Sequence, residues 1–76
     1  MSAERAFYVF RELNWTVIVD TDNETAAVFT AAEANRQRGF STEMESVNPV
    51  SPVREMCDPD LLRDPQEYRG IKYWII

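Results

Sequence analysis

Histidine is absent from this chain, cysteine occurs once and glycine only twice. With no imidazole and one thiol, the usual zinc ligand sets cannot be assembled and no intramolecular disulfide can form. The single thiol, Cys57, also lacks the imidazole base that activates most cysteine nucleophiles, although Arg54 is near in sequence. It reads as a buried or tolerated thiol. No apolar run is long enough to span a bilayer. The N-terminal Met1–Arg5 has neither the basic start nor the apolar stretch of an export signal. A free thiol without an export signal points to the cytoplasm.

What remains is a 76-residue chain, 45% apolar, with nine aromatic rings and a net charge of −5. That length and composition fit one small globular domain over residues 1–76, stabilised by packing and possessing a marginal core. The acidic excess is spread over both halves of the chain, and no basic stripe is present. This argues against direct binding to a phosphate backbone and favours attraction to a basic protein surface.

The most informative pattern is a pair of β-type runs, Phe7–Glu12 and Trp15–Asp20, that are apolar on both alternating faces. Phe7 and Val9 oppose Tyr8 and Phe10, and Trp15, Val17 and Val19 oppose Ile18. Strands with one wet face alternate apolar and polar residues, so these need a cover on each side. Leu13-Asn14 between them suits a tight hairpin, with Asn14 able to adopt a left-handed conformation. A helix over residues 3–13 competes, since Ala6, Phe7, Phe10 and Leu13 also share a helical face. The aromatic and β-branched content favours strands.

A helix is expected over residues 22–38. Thr21 and Glu24 form a capping box, and Asp22 and Glu24 complement the positive end of the helix dipole. Alanines 26, 27, 31, 32 and 34, with Val28 and Phe29, form an apolar flank for close packing on a sheet. Arg36 and Arg38 suit the last turn, with Gly39 as a left-handed terminator and Phe40 folding back on it. Ser41–Val47 then reads as a strand with Phe40, Thr42 and Met44 on one side and Glu43 and Glu45 on the other.

All four prolines fall in residues 48–70, at Pro49, Pro52, Pro59 and Pro65. Ser51, Asp58 and Asp64 before the last three make cap-and-proline pairs, so this segment reads as successive short helical turns or loops, the last ended by Gly70. Leu61, Leu62 and Tyr68 are among its residues able to lie over a sheet face. Ile71–Ile76 is a final strand, again apolar on both sides. The expected fold is α+β: a small, mostly antiparallel four-stranded sheet in the order ββαβ…β along the chain, with one long helix on one face. The second face is covered by the segment after residue 47 or by another molecule.

Asp20–Glu24 places three carboxylates in five residues, like the start of a calcium loop. Thr25 and Ala31 stand where an EF-hand needs glycine and glutamate, and the helix start accounts for the acids. A carboxylate pair for glycoside chemistry, such as Glu43 and Glu45, lacks room for a sugar-sized cleft in so small a domain. No base–nucleophile or metal constellation is present, so the chain is expected to be no enzyme and to need no cofactor. Outside the helix-dipole positions that explain Asp22 and Glu24 lie Glu43 and Glu45 on a strand face and Asp58, Asp60, Asp64 and Glu67 in the long segment, beside Tyr68. Alternation with Arg54, Arg63 and Arg69 admits a salt-bridged surface; the sharper reading is a partner-binding patch with Tyr68 as its aromatic anchor.

The stretch from Trp15 to Asn35, WTVIVDTDNETAAVFTAAEAN, resembles a pattern common in small phage and prophage proteins. An alternating strand runs through an Asp/Thr cap into an alanine-rich helix and on to a further strand. In size and build, over about residues 7–47, the chain is similar to anti-CRISPR proteins. The resemblance carries over no functional residue. It implies a protein that inhibits a host nucleic-acid-handling complex from within the host cytoplasm. The alternative is a structural protein that buries its second sheet face in a homo-oligomer.

Overall fold

Tyr8 pairs with Val19, Val9 with Ile18 and Phe10 with Val17 across an antiparallel hairpin, so the two doubly apolar runs lie side by side. In this computed structural model, which describes residues 4–38 and 49–76, they form β1 (Arg5–Arg11) and β2 (Thr16–Val19). The Glu12 N–H donates to the Trp15 carbonyl at 2.9 Å to close the turn. Neither Leu13 nor Asn14 has a positive φ, so the left-handed capacity of Asn14 is not used. The helix alternative for residues 3–13 is set aside by this pairing.

The expected helix is α1 (Glu24–Gln37), and its start is two residues later than the capping-box pattern implies. Asn23, not Thr21, is the N-cap: its Oδ1 accepts from the Ala26 N–H at 3.1 Å. Thr21 Oγ1 accepts instead from the Asn23 N–H at 3.2 Å and orients that cap. Ala27, Thr30, Ala31 and Ala34 recur at i, i+3, i+4 and i+7 and are buried. Their small side chains bring the helix onto Phe10, Val17, Val19 and Tyr73. Phe29, expected on that packing flank, stands off it and is 65% exposed. Gly39, Phe40 and the strand expected over Ser41–Val47 lie outside the described residues.

The proline-containing segment departs most from expectation. It contributes two strands, β3 (Val53–Cys57) and β4 (Gln66–Tyr68), with a single 3-10 turn at Pro59–Leu61. The described sheet is therefore five-stranded, in the order β3-β1-β2-β5-β4, with β5 spanning Ile71–Ile75 and every pair antiparallel. Prolines 52, 59 and 65 flank the strands instead of interrupting their ladders. Asp58-Pro59 does cap a turn, as its pattern implies, with Asp58 Oδ1 accepting from the Asp60 N–H at 2.9 Å. Asp64-Pro65 does not: Asp64 has φ +60° and leads into β4. Gly70 ends no helical turn. With Arg69 (φ +53°), Gly70 (φ +83°) forms the two-residue turn between β4 and β5, where successive positive φ values match strand twist.

This topology supplies the second cover. β3 and β4 occupy opposite edges among the described strands, so residues 58–65 must cross the whole sheet. Four inter-strand spacings make a distance of about 19 Å, and a chain of that length reaches about 27 Å when extended, so it crosses with little slack. Leu62 and Cys57 pack against Phe7, Val9, Ile18 and Trp74, which places this strap on the face opposite α1. Phe7 is fully buried and Trp74 only 4% exposed within one chain, so burial of this face calls for no second copy. The Phe7 and Trp74 rings meet at 5.7 Å with a 44° tilt, and among the described residues nothing accepts from the buried Trp74 Nε1–H.

The two strap leucines have opposite fates. Leu62 packs inward, whereas Leu61 is 78% exposed. Leu62→Ala is expected to destabilise the domain by about 2 kcal/mol through lost burial and a residual cavity. Leu61→Ala should fall within about 0.5 kcal/mol of the parent. Urea denaturation of both variants measures the difference, and equal effects would contradict this orientation of the strap.

Candidate partner-binding surface

The strap is short, crossed by two prolines and pinned at both ends, so its outward groups are presented in definite positions. The Asp58 cap closes the 3-10 turn, helped by the Leu61 N–H donating to the Asp58 carbonyl at 3.0 Å. This turn raises Leu61 away from the sheet while the next residue points into it. Asp60 and Asp64 are exposed on either side of Leu61, and Arg63 is the strap's one cation. Glu67, in β4, is exposed and pairs in register with Lys72 of β5.

Most ion pairs of the described residues lie away from this surface. Arg5 pairs with Asp20, Arg36 with Glu33, and Arg54 approaches Asp22 at 3.8 Å. Arg11 grips Glu55 with both terminal nitrogens, joining β1 to β3. By contrast, among the described residues none of Asp58, Asp60, Asp64 and Glu67 forms an ion pair. The salt-bridged reading of these acids is therefore not what the geometry gives. Asp58, Asp60 and Asp64 share the strap with the exposed Leu61, and Arg63 and the cross-strand Lys72 are the cations near this group of acids.

Tyr68 is not part of that patch. The alternation of β4 sends Tyr68 to the helix side and Glu67 to the strap side. Tyr68 is half-buried against the helix-side core, with the Arg69 guanidinium 5.4 Å from its ring centroid. Glu43 and Glu45 lie outside the described residues. Of the candidates from sequence, the structure thus groups Asp58, Asp60 and Asp64 on the strap with Glu67 beside them, and separates Tyr68. Leu61 was missed as a contact residue because its pattern gave it the same covering role as Leu62. Its place directly after a cap-and-proline pair was the available signal, since the 3-10 turn sets the two leucines on different sides.

A second polar assembly, also absent from the sequence reading, holds the other end of the domain. The buried Asn35 accepts from Trp15 Nε1–H at 3.0 Å and donates to Glu12 Oε2 at 3.2 Å. Glu12 Oε2 also accepts from the Val50 N–H at 3.3 Å. One carboxylate thereby ties the β1–β2 turn, the end of α1 and the approach to β3. Every member has a structural partner, so we read this network as a brace.

Cys57 ends β3 just before the strap, half-buried beside the Phe7 cluster. Burial first, and then the Glu55 carboxylate, hold its thiol above the ordinary range; Arg11 opposes this and Glu4 adds to it. The Arg11 hydrogen bond in turn holds the Glu55 carboxyl below its usual range. A raised thiol keeps its proton at neutral pH and is a poor nucleophile. Alkylation of Cys57 by iodoacetamide at pH 8 is expected to be slower than that of an unstructured cysteine peptide, and its rate should level off at a higher pH than the peptide's. A rate at or above the peptide's would mean an exposed, activated thiolate.

Among the described residues no helix is long and apolar enough to cross a membrane, and no group of three or more Cys, Asp or Glu side chains is placed to hold a metal ion. No protein-family model, curated protein or solved structure matches the chain.

Proposed function

We propose that this chain is a non-enzymatic protein-binding module that docks its strap on a basic surface of a protein partner. The observation that carries this reading is a contrast in charge pairing: among the described residues Asp58, Asp60, Asp64 and Glu67 form no ion pair on the side of the sheet where Leu61 is exposed, whereas Asp20, Asp22, Glu33 and Glu55 each meet an arginine. An apolar tip inside a charged rim is an arrangement suited to recognition. The tip supplies buried contact and slows dissociation, and the rim governs association rate and partner choice. A net charge of −5 adds long-range attraction to a positive surface.

The most concrete form of this function is inhibition of a host nucleic-acid-handling complex, as the likeness to anti-CRISPR proteins implies. Such complexes hold nucleic acid in positively charged channels, and the strap offers negative charge on a rigid support. Five net charges are few for mimicry of a whole duplex, so the local contact at Leu61 has to contribute much of the affinity. Here the leucine takes the anchoring part that the sequence reading gave to Tyr68.

The test is a plasmid-interference assay in cells carrying an active RNA-guided nuclease, run over several effector types. Expression of the chain is expected to restore plasmid establishment with at least one of them. Leu61→Asp, and separately Asp60→Lys with Asp64→Lys, should abolish that restoration while leaving the melting temperature within a few degrees of the parent. Full activity in both variants would remove the strap from the interface. Failure with every effector type would overturn the inhibitor reading.

A further inference from the structure

A groove lies on the side of the domain opposite the strap. α1 packs mainly on β1, β2 and β5, and between the helix and the β4–β5 turn a half-open groove of about 440 Å³ remains. Its lining is Ala26, Phe29 and Thr30 from the helix and Tyr68, Arg69 and Ile71 from the strands. Thr30 uses its hydroxyl on the Ala26 carbonyl at 2.8 Å, so the lining is mainly apolar apart from Arg69.

Two features here work against stability. Phe29 is 65% exposed on a helix that is otherwise rich in small alanines. Arg69 occupies a turn position at φ +53°, a conformation that glycine or asparagine adopts at lower cost. Among the described residues the arginine forms no ion pair, and its guanidinium lies 5.4 Å from the centroid of the Tyr68 ring. An exposed aromatic ring and a strained, unpaired guanidinium at one groove are complementary to a ligand that joins an apolar group to an anion. Strain kept at a surface turn is a pointer to function.

We infer that this groove binds a segment of a partner protein that presents an apolar side chain next to a carboxylate, with Phe29 and Ile71 taking the side chain and Arg69 the carboxylate. A protein segment fits better than a free small molecule because the groove is half-open, whereas small-ligand sites bury most of the ligand's surface. It also runs beside β4, the outermost described strand on that side, where extended segments can lie along the sheet. The overall negative charge of the domain opposes an acidic ligand at long range. Beyond about 8 Å that repulsion is screened at physiological salt, whereas a guanidinium–carboxylate contact is not. This site shares no residue with the strap, so its fate and that of the proposed inhibitor function are separate.

The experiment is titration of the isotopically labelled chain with acetyl-Ala-X-Asp-Ala-amide peptides, X being leucine, isoleucine, phenylalanine or tryptophan, followed by NMR. Saturable shifts are expected at residues 26–30 and 68–71 with at least one peptide. Its asparagine counterpart should bind about fivefold more weakly, and its lysine counterpart more weakly still. Phe29→Ala should lower affinity at least tenfold without loss of stability, because the ring is exposed. Arg69→Asn should erase the preference for Asp over Asn while raising the melting temperature, since the turn strain is relieved. The inference is overturned if no peptide gives groove-centred shifts at millimolar concentration, or if Asp and Asn forms bind equally. It is also overturned if hexanoate binds as well as the peptides, or if the shifts appear on concentrating the chain alone.

Discussion

Burial of both faces of the β1–β2 hairpin is the constraint on which the rest of the structure depends. Phe7, Val9, Ile18 and Trp74 form one apolar layer, and Phe10, Val17, Val19 and Tyr73 form another on the reverse side. One helix covers only one of them. The other is closed by a strap that must leave one edge of the sheet and reach the opposite edge. That requirement explains why two short strands bracket the strap: β3 and β4 are its anchorages as much as they are sheet. It also explains the prolines, which stiffen the connection outside the hydrogen-bonded ladders.

The two covers do different work. On the helix side, the small residues Ala27, Thr30, Ala31 and Ala34 at i, i+3, i+4 and i+7 allow close approach, and the Trp15–Asn35–Glu12 assembly sets the position of the helix end. The Tyr73 hydroxyl lies 3.2 Å from Oε1 of both Gln37 and Gln66, so the same sheet strand contacts the helix end and β4. The strap side has one inward leucine and an indole N–H without an acceptor among the described residues, a group that costs about 1–3 kcal/mol to bury unpaired. Its outer surface bears acids that form no ion pair among the described residues. The hydrogen-bonded braces thus lie on the helix side, and the proposed contact surface lies on the strap.

Much of this was legible in the residues, and what was not has identifiable causes. The doubly apolar pattern of Phe7–Phe10 and Trp15–Val19 required two covers, and the long segment was one of the two sources it allowed. The helix was clear from its alanines, but two polar residues near its start compete for the cap. Asn23 prevails because its side chain reaches the Ala26 N–H. β3 and β4 were hidden because edge strands expose much of their surface and need no alternation: Val53 and Met56 are both exposed. Proline density read as turns when it marked strand boundaries. The unpaired state of the strap acids was beyond sequence reasoning, since alternating Asp and Arg in a loop permits pairing and only the path of the chain decides it.

The account stands on the strap lying over the second sheet face within a single chain. The most direct measurement is NMR detection of through-space contacts from the Leu62 methyls, in a sample whose diffusion matches the 8.8 kDa chain mass. Contacts from Leu62 to side chains among Phe7, Val9, Ile18 and Trp74, with none from the Leu61 methyls, are the predicted result. A monomer in which Leu62 shows no contact with that cluster would contradict it, as would contacts that prove intermolecular in a mixed-label sample.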